Sequence, residues 1–247
     1  MPFKLLIETE TGKKYLVRDL QEEFHTTHGI IKSADLKSNK TEVRSSKNHA
    51  FQLIEAGFID LWEQLQRGPQ IMMPKDIGFI IAQTGINHHS TIVDAGGGSG
   101  SLCFSLANIG KEVVVYEHNA ENVSLLNKNK QLLGLKNVTI KHQDIYDGIE
   151  EGELDLITLD LPEPWRVLPQ AEIALKAGGF VVVYLPNLLQ VKEYIDAASE
   201  SAIAIIKTVE LLERSWKIEK KIMRPEFQML GHTGFLILGR KLGVKAP

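Results

Sequence analysis

Four carboxylates stand where the chain could hold a cation. Asp94 opens the run Val93-Asp94-Ala95-Gly96-Gly97-Gly98-Ser99-Gly100, Glu117 closes an apolar run at 113–117, and Asp144 follows another at 138–141 within His142-Gln143-Asp144-Ile145. The fourth, Asp160, leads into Leu161-Pro162-Glu163-Pro164-Trp165. Glycines at 96, 98 and 100 let the backbone turn tightly and let a ligand come close to it. A dinucleotide fingerprint needs Gly or Ala at 101, but Ser101 stands there, so the spacing is G-x-G-x-G. An acid just before the loop opposes a pyrophosphate and suits the cationic methionine end of S-adenosylmethionine. Glu117, roughly 20 residues further on, is placed to accept hydrogen bonds from ribose hydroxyls. Asp144 could receive the adenine amino group or merely cap a helix. The prolines after Asp160 cannot continue a sheet, so they hold that aspartate at the sheet's carboxyl edge, beside a methyl donor. This makes Asp160 the candidate catalytic residue.

The elements that must position these acids follow from periodicity. Short β-branched or apolar runs at 92–94, 113–117, 138–141, 154–160 and 180–185 alternate with helical patterns at 102–109, 120–133 and 167–176, the last two closed by Gly134 and by Gly178-Gly179. Such alternation predicts an α/β fold, a Rossmann-like parallel sheet with helices on both faces and ligands at the carboxyl ends of the strands. Two further strand-like runs lie near 209–211 and 235–238. Residues 1–62 have short apolar stretches broken by turn formers, which predicts a small β-rich domain before a catalytic domain at 63–247. Within it, residues 32–47 carry Lys32, Lys37, Lys40, Arg44 and Lys47 against Asp35 and Glu42 and read as a solvated loop.

Composition narrows the classes. A formal net charge of -3 argues against a protein that coats nucleic acid indiscriminately, because that needs a strong positive field. The single cysteine, Cys103, allows neither an intrachain disulfide nor a thiolate zinc site, and its apolar neighbours make it a packing residue. No apolar run approaches the roughly 20 residues of a membrane helix, and MPFKLLIETETGKK lacks a signal-peptide core, so a cytoplasmic location and no membrane partner are expected.

Several segments together resemble the tRNA (adenine-N1)-methyltransferases that modify position 58 of the T-loop. They are Phe24-His25-Thr26 with Gly29-Ile30, Arg67-Gly68-Pro69-Gln70 with Pro74-Lys75-Asp76, the glycine loop, Asp160 to Trp165, Val183-Tyr184-Leu185-Pro186-Asn187, Arg224-Pro225, and Gly231-His232-Thr233-Gly234-Phe235. The resemblance implies a class I methyltransferase domain, S-adenosylmethionine as cofactor, tRNA as partner, a β-barrel-like front module, a homotetramer of identical chains and no metal. It implies catalytic roles for Asp160 and Tyr184. Cofactor contacts are implied for Gln70, Asp94, Gly96, Gly98, Ser99, Gly100, Glu117, His118, Asp144, Ile145 and Asp160. On the substrate side it implies Tyr184, Trp165, His232 and the position before Pro74. Archaeal members of the family it resembles carry His or Tyr at that position, and this chain has Met73, whose thioether can pack against a base but lacks a histidine's hydrogen bonds. For the RNA backbone, two basic segments stand out, residues 32–47 and the run from Arg214 to Arg224, which carries Lys217, Lys220 and Lys221 around Trp216. Three other readings stay open: a small-molecule methyltransferase with the same cofactor half, a dinucleotide oxidoreductase, and an RNA-binding protein without catalysis.

Overall fold

The computed structural model describes residues 3–68, 71–219 and 221–243. The chain divides into two units, Met1–Leu65 and Gln66–Pro247, three residues on from the boundary expected from the sequence.

The first unit contains β1 (Lys4–Glu8), β2 (Lys14–Val17), β3 (Phe24–Thr26), β4 (Gly29–Ile31), α1 (Ser33–Leu36), β5 (Glu42–Arg44), β6 (Ala50–Glu55) and α2 (Phe58–Trp62). Four strands form an antiparallel ladder in the order β2-β1-β6-β5, and β3 pairs only with β4. Among the described residues this ladder is open, with β2 and β5 at its edges. Alternation fixes its inner face: Phe51 and Leu53 of β6 point inward with Leu6, Val17 and Ile31. The segment 32–47 is not the bare loop its charges suggested. Leu36 of α1 and Val43 of β5, single apolar residues flanked by polar ones, are buried in this core and anchor a helical turn and an edge strand.

The second unit runs α3 (Pro74–Thr84), β7 (Thr91–Ala95), α4 (Ser101–Ala107), β8 (Glu112–Glu117), α5 (Ala120–Leu133), β9 (Val138–His142), β10 (Leu154–Leu159), α6 (Leu168–Ala174), β11 (Leu175–Leu185), α7 (Leu188–Ala198), β12 (Ile203–Glu210), β13 (Trp216–Glu219), β14 (Ile222–Pro225) and β15 (Phe235–Lys241). A seven-stranded sheet has the order β12-β15-β11-β10-β7-β8-β9. Neighbours from β11 to β9 pair in parallel, while β15 is antiparallel to both β11 and β12. The central strands are buried along almost their whole length and mostly apolar, as strands covered on both sides are, with Asp94, Glu117 and Thr158 among the exceptions. One boundary differs from expectation. The helix predicted over 167–176 stops at Ala174, and Gly178-Gly179 lie inside β11. The reason is close packing: a Cβ on Gly179 would stand 2.8 Å from the Leu154 carbonyl oxygen, where β10 and β11 also shift register.

Candidate active site

The parallel strands deliver their carboxyl ends to one edge of the sheet. Ala95 lies beside Tyr116 on one flank and Leu159 on the other, so the residues that follow β7, β8 and β10 become neighbours. The reversed β15 begins where β11 ends, with Phe235 opposite Leu185, so the loop before β15 reaches the same edge. A cavity of about 390 Å³ opens there, within the range of small-molecule sites.

Its floor is the turn from β7 into α4. Gly96 has φ +83°, and a Cβ on it would collide with the Asp160 carbonyl oxygen. Glycine thus lets the loop lie directly against the end of β10, and the Asp160 N–H donates to the Ala95 carbonyl at 2.9 Å. The loop is held from behind by Asn129 of α5. This buried side chain donates to the carbonyls of Ser99 and Gln66, each at 2.9 Å, and accepts from the Gln66 N–H at 2.9 Å. The Met72 N–H donates to the Ser101 hydroxyl at 3.2 Å.

Three acids line the cavity, and among the described residues no lysine or arginine does. Buried Glu117 accepts the Gly98 N–H on Oε2 at 3.0 Å and the Asn119 N–H on Oε1 at 2.9 Å. Each oxygen keeps a further lone pair for a hydroxyl donor. Asp94 faces Thr158 across the β7–β10 ladder and accepts its hydroxyl at 2.5 Å. Burial, opposed by that hydrogen bond and reinforced by the charges of Asp160 and Glu117, pushes Asp94 up to about 7. Asp160 has free surface, but that surface opens onto the cavity, whose walls displace much of the surrounding water. That loss of hydration pushes it up to about 6. Both shifts belong to a site short of positive charge.

Opposite the acids stands Tyr184. Burial, opposed by a hydrogen bond with Thr233 and reinforced by the charges of Asp76 and Asp160, pushes its phenol up to about 12, so it remains a hydroxyl donor at neutral pH. Gly234 lies against its ring, where a Cβ would meet Cζ at 2.5 Å. Thr233 is tied in turn to α3, because Lys75 Nζ donates to its hydroxyl at 2.7 Å and pairs with buried Asp76 at 2.8 Å. Lys75, Asp76 and Thr233 had no role read from the sequence beyond their place in family-like motifs. A charged pair at the first turn of an apolar-faced helix was the available signal.

Of the residues singled out from the sequence, Asp94, Gly96, Gly98, Ser99, Glu117, His118, Asp160 and Tyr184 line the cavity. Others do not. Gly100 is the N-cap of α4, where a Cβ would collide with the Phe104 ring. Asp144 caps the short turn Ile145–Asp147, accepting the Tyr146 N–H at 3.0 Å, and Ile145 is buried in the core. Met73 is the N-cap residue of α3, while its neighbours Ile71 and Met72 face the cavity. Trp165 packs against the hydrophobic core. His232 bridges the ends of two strands, with Nδ1 2.5 Å from Glu210 and Nε2 2.8 Å from the Pro186 carbonyl, and its hydrogen bonds to those groups raise its pKa. It braces the loop that carries Thr233. Arg214 precedes the β13–β14 hairpin and Lys217 and Arg224 pair across it, with Lys221 beside the turn. Gln70 and Lys220 lie outside the described residues.

A mostly parallel seven-stranded sheet with one reversed strand, a glycine loop after β7 and an acid closing β8 define an S-adenosylmethionine-dependent methyltransferase fold of class I. The family model described as tRNA methyltransferase complex GCD14 subunit matches residues 51–229. The chain belongs to that family. It is 36% identical to the tRNA (adenine(57)-N(1)/adenine(58)-N(1))-methyltransferase TrmI of Methanocaldococcus jannaschii, over 96% of this chain and 94% of that one. It is 28% identical to the tRNA (adenine(58)-N(1))-methyltransferase TrmI of Thermus thermophilus, over 97% of each. Among solved structures, a SAM-dependent O-methyltransferase from Thermotoga maritima superposes with a TM-score of 0.87 at 31% identity, covering 100% of this chain and 95% of that one. The tRNA (m1A58) methyltransferase TrmI of Aquifex aeolicus gives 0.82 at 26% identity, covering 98% and 97%.

Proposed function

We propose that this protein transfers a methyl group from S-adenosylmethionine to N1 of adenine 58, and of adenine 57 where its sequence context permits, in the T-loop of tRNA. The observation that carries the cofactor half is the acid-lined cavity without a lysine or arginine. It suits a ligand carrying an ammonium and a sulfonium and opposes a dinucleotide's phosphates. Bound S-adenosylmethionine supplies an electrophilic methyl group. Asp94 and the backbone of Gly96, Gly98 and Ser99 would hold its methionine end. Glu117, with His118 beside it, would receive the ribose hydroxyls. Gln70, Gly100, Asp144 and Ile145 belong to the same proposed contact set, Gly100 and Asp144 through the turns they fix and Ile145 through its backbone.

Adenine N1 is a neutral acceptor at pH 7, so no base has to remove a proton before attack. Asp160 accepts a hydrogen bond from the exocyclic amino group, orients the ring and offsets the positive charge that the base acquires. Tyr184, held by Thr233 and Gly234, presents its ring and hydroxyl to the base, and Met73 and Trp165 belong to the same proposed substrate set. The base leaves its stack to enter, at a cost of a few kcal/mol. Arg214, Lys217, Lys221 and Arg224 would contact phosphates, and a homotetramer would repeat this basic hairpin. Exposed apolar side chains, Ile173, Leu189 and Phe227 among them, support self-association.

The Thermotoga maritima structure favours a second reading, transfer to a hydroxyl oxygen, in which Asp160 would take the proton. Labelled cofactor, unmodified tRNA transcript and nucleotide mapping separate the two. Label at N1 of adenine 58 is expected, and label entering only small hydroxyl compounds would overturn the proposal.

A further inference from the structure

The proposed methyl transfer leaves one cluster of chemically capable side chains in the first unit without a role. Glu8 ends β1, His28 sits in the β3–β4 turn, and His49 immediately precedes β6. One ligand atom from each lies within 4.8 Å of the others. Glu8 Oε1 is 3.0 Å from His28 Nε2, and the two imidazole centroids are 4.3 Å apart.

Backbone hydrogen bonds set these positions. Ser45 Oγ donates to the His28 carbonyl at 2.5 Å, and its N–H donates to the His49 carbonyl at 3.0 Å. The neighbouring Ser46 N–H donates to Ile30 at 2.8 Å, locking the β3–β4 hairpin to the turn that carries His49. Asn48, at φ 63°, makes that turn tight enough to bring His49 back over His28. The other Glu8 oxygen accepts the Thr11 hydroxyl, which fixes the carboxylate's orientation.

Charge supplies the second argument. Glu8 is 97% buried, and its ion-pair partner among the described residues is an imidazole, with no lysine or arginine in reach. A buried carboxylate needs a positive partner. Two imidazoles and one carboxylate form a borderline donor set of the kind zinc takes, with a fourth position for water. Bonds of about 2.0–2.1 Å in tetrahedral geometry separate ligand atoms by roughly 3.3 Å, so the cluster closes around an ion with small side-chain adjustments. The lone cysteine rules out thiolate zinc sites but places no limit on this one.

We propose that Glu8, His28 and His49 form a divalent transition-metal site, zinc by preference, which ties the β3–β4 hairpin to β1 and β6. The test is titration of zinc alone into the metal-free full chain in competition with a chromophoric chelator. One tight ion per chain is expected, together with a zinc-dependent rise in Tm. His49→Gln, His28→Ala and Glu8→Gln should each weaken binding by at least ~10-fold, the loss seen when even an outer-shell partner is removed. His88→Ala is the control, because His88 and His89 form another close imidazole pair, with ring centroids 3.9 Å apart. Cobalt(II) bound to the unaltered protein should give the strong visible bands of four-coordinate geometry and be displaced by zinc, which keeps the test valid if a variant fails to fold. Absence of tight binding, binding lost only in His88→Ala, or weak octahedral cobalt bands would overturn the proposal.

Discussion

Asp160 and Asp94 are both carboxylates lifted by lost hydration, yet they are expected to fail in different assays. Asp160→Ala should lower single-turnover methylation by ~10²- to 10³-fold, the scale of removing one preorganised charge partner, while cofactor affinity moves only a few-fold. In the unaltered enzyme kcat/KM should fall as pH drops through about 6, as the Asp160 carboxylate is protonated. Asp94 is proposed to hold the cofactor's cationic end. A bound cation lowers its pKa from about 7, so affinity for S-adenosylmethionine should weaken by up to roughly tenfold per pH unit below 7. For stability the sign reverses. Its folded pKa lies above the ordinary carboxylate value, so its contribution is greatest at acid pH and is lost as pH rises through about 7. Asp94→Asn should therefore raise the Tm of the ligand-free protein at pH 8 and abolish the shift given by cofactor, which differential scanning calorimetry reads directly. These acids were legible in the sequence because each stands at or just past the carboxyl end of a strand, and strand ends share an edge. Lys75 and Thr233 were not, because their contact spans 158 positions and depends on β15 running backwards.

Elements transmit these positions to the site. Asn129 lies in the last turns of α5, whose limits at Ala120 and Leu133 are set by the Asn119 cap and Gly134 and follow from the sequence alone. Its side chain serves two chain segments at once, so Asn129→Leu would leave the Ser99 and Gln66 backbone groups unpaired at about 1–3 kcal/mol each. Roughly tenfold weaker cofactor binding by calorimetry, with catalysis at saturating cofactor largely retained, is expected. Binding unchanged within twofold would show that the loop keeps its shape without the brace. The strands flanking that loop were legible because their centres are short β-branched runs, Ile92-Val93 and Val113-Val114-Val115, and α5 because it is capped at both ends. Among those that escaped, β5 is short and polar but for Val43, while β13 and β14 are short and leave Trp216, Ile218, Ile222 and Met223 exposed, so that pairing partners make them strands. The helix α7 escaped for another reason: exposed Leu188 and Leu189 precede its buried Val191, Tyr194 and Ala198, which blurs its apolar face.

The whole molecule must reconcile a net charge of -3 with an anionic substrate. No helix among the described residues is long and apolar enough to cross a membrane. Light scattering should give four times the 27.6 kDa chain mass. Assembly matters for tRNA because one hairpin offers few free cations. Lys217 is paired with Glu219 at 3.1 Å, whereas Arg214 and Lys221 have no ion-pair partner among the described residues. If repeated hairpins supply the phosphate contacts, log K for tRNA should fall linearly with log salt concentration. Lys221→Ala should reduce that slope by roughly 0.7–0.9 for each phosphate contact it made in the assembly. Lys217→Ala should reduce it less, since Glu219 already offsets that charge. A slope that neither substitution changes would move the RNA contacts elsewhere, and Lys32 and Lys47 of the first unit, also without ion-pair partners among the described residues, would be the next to alter.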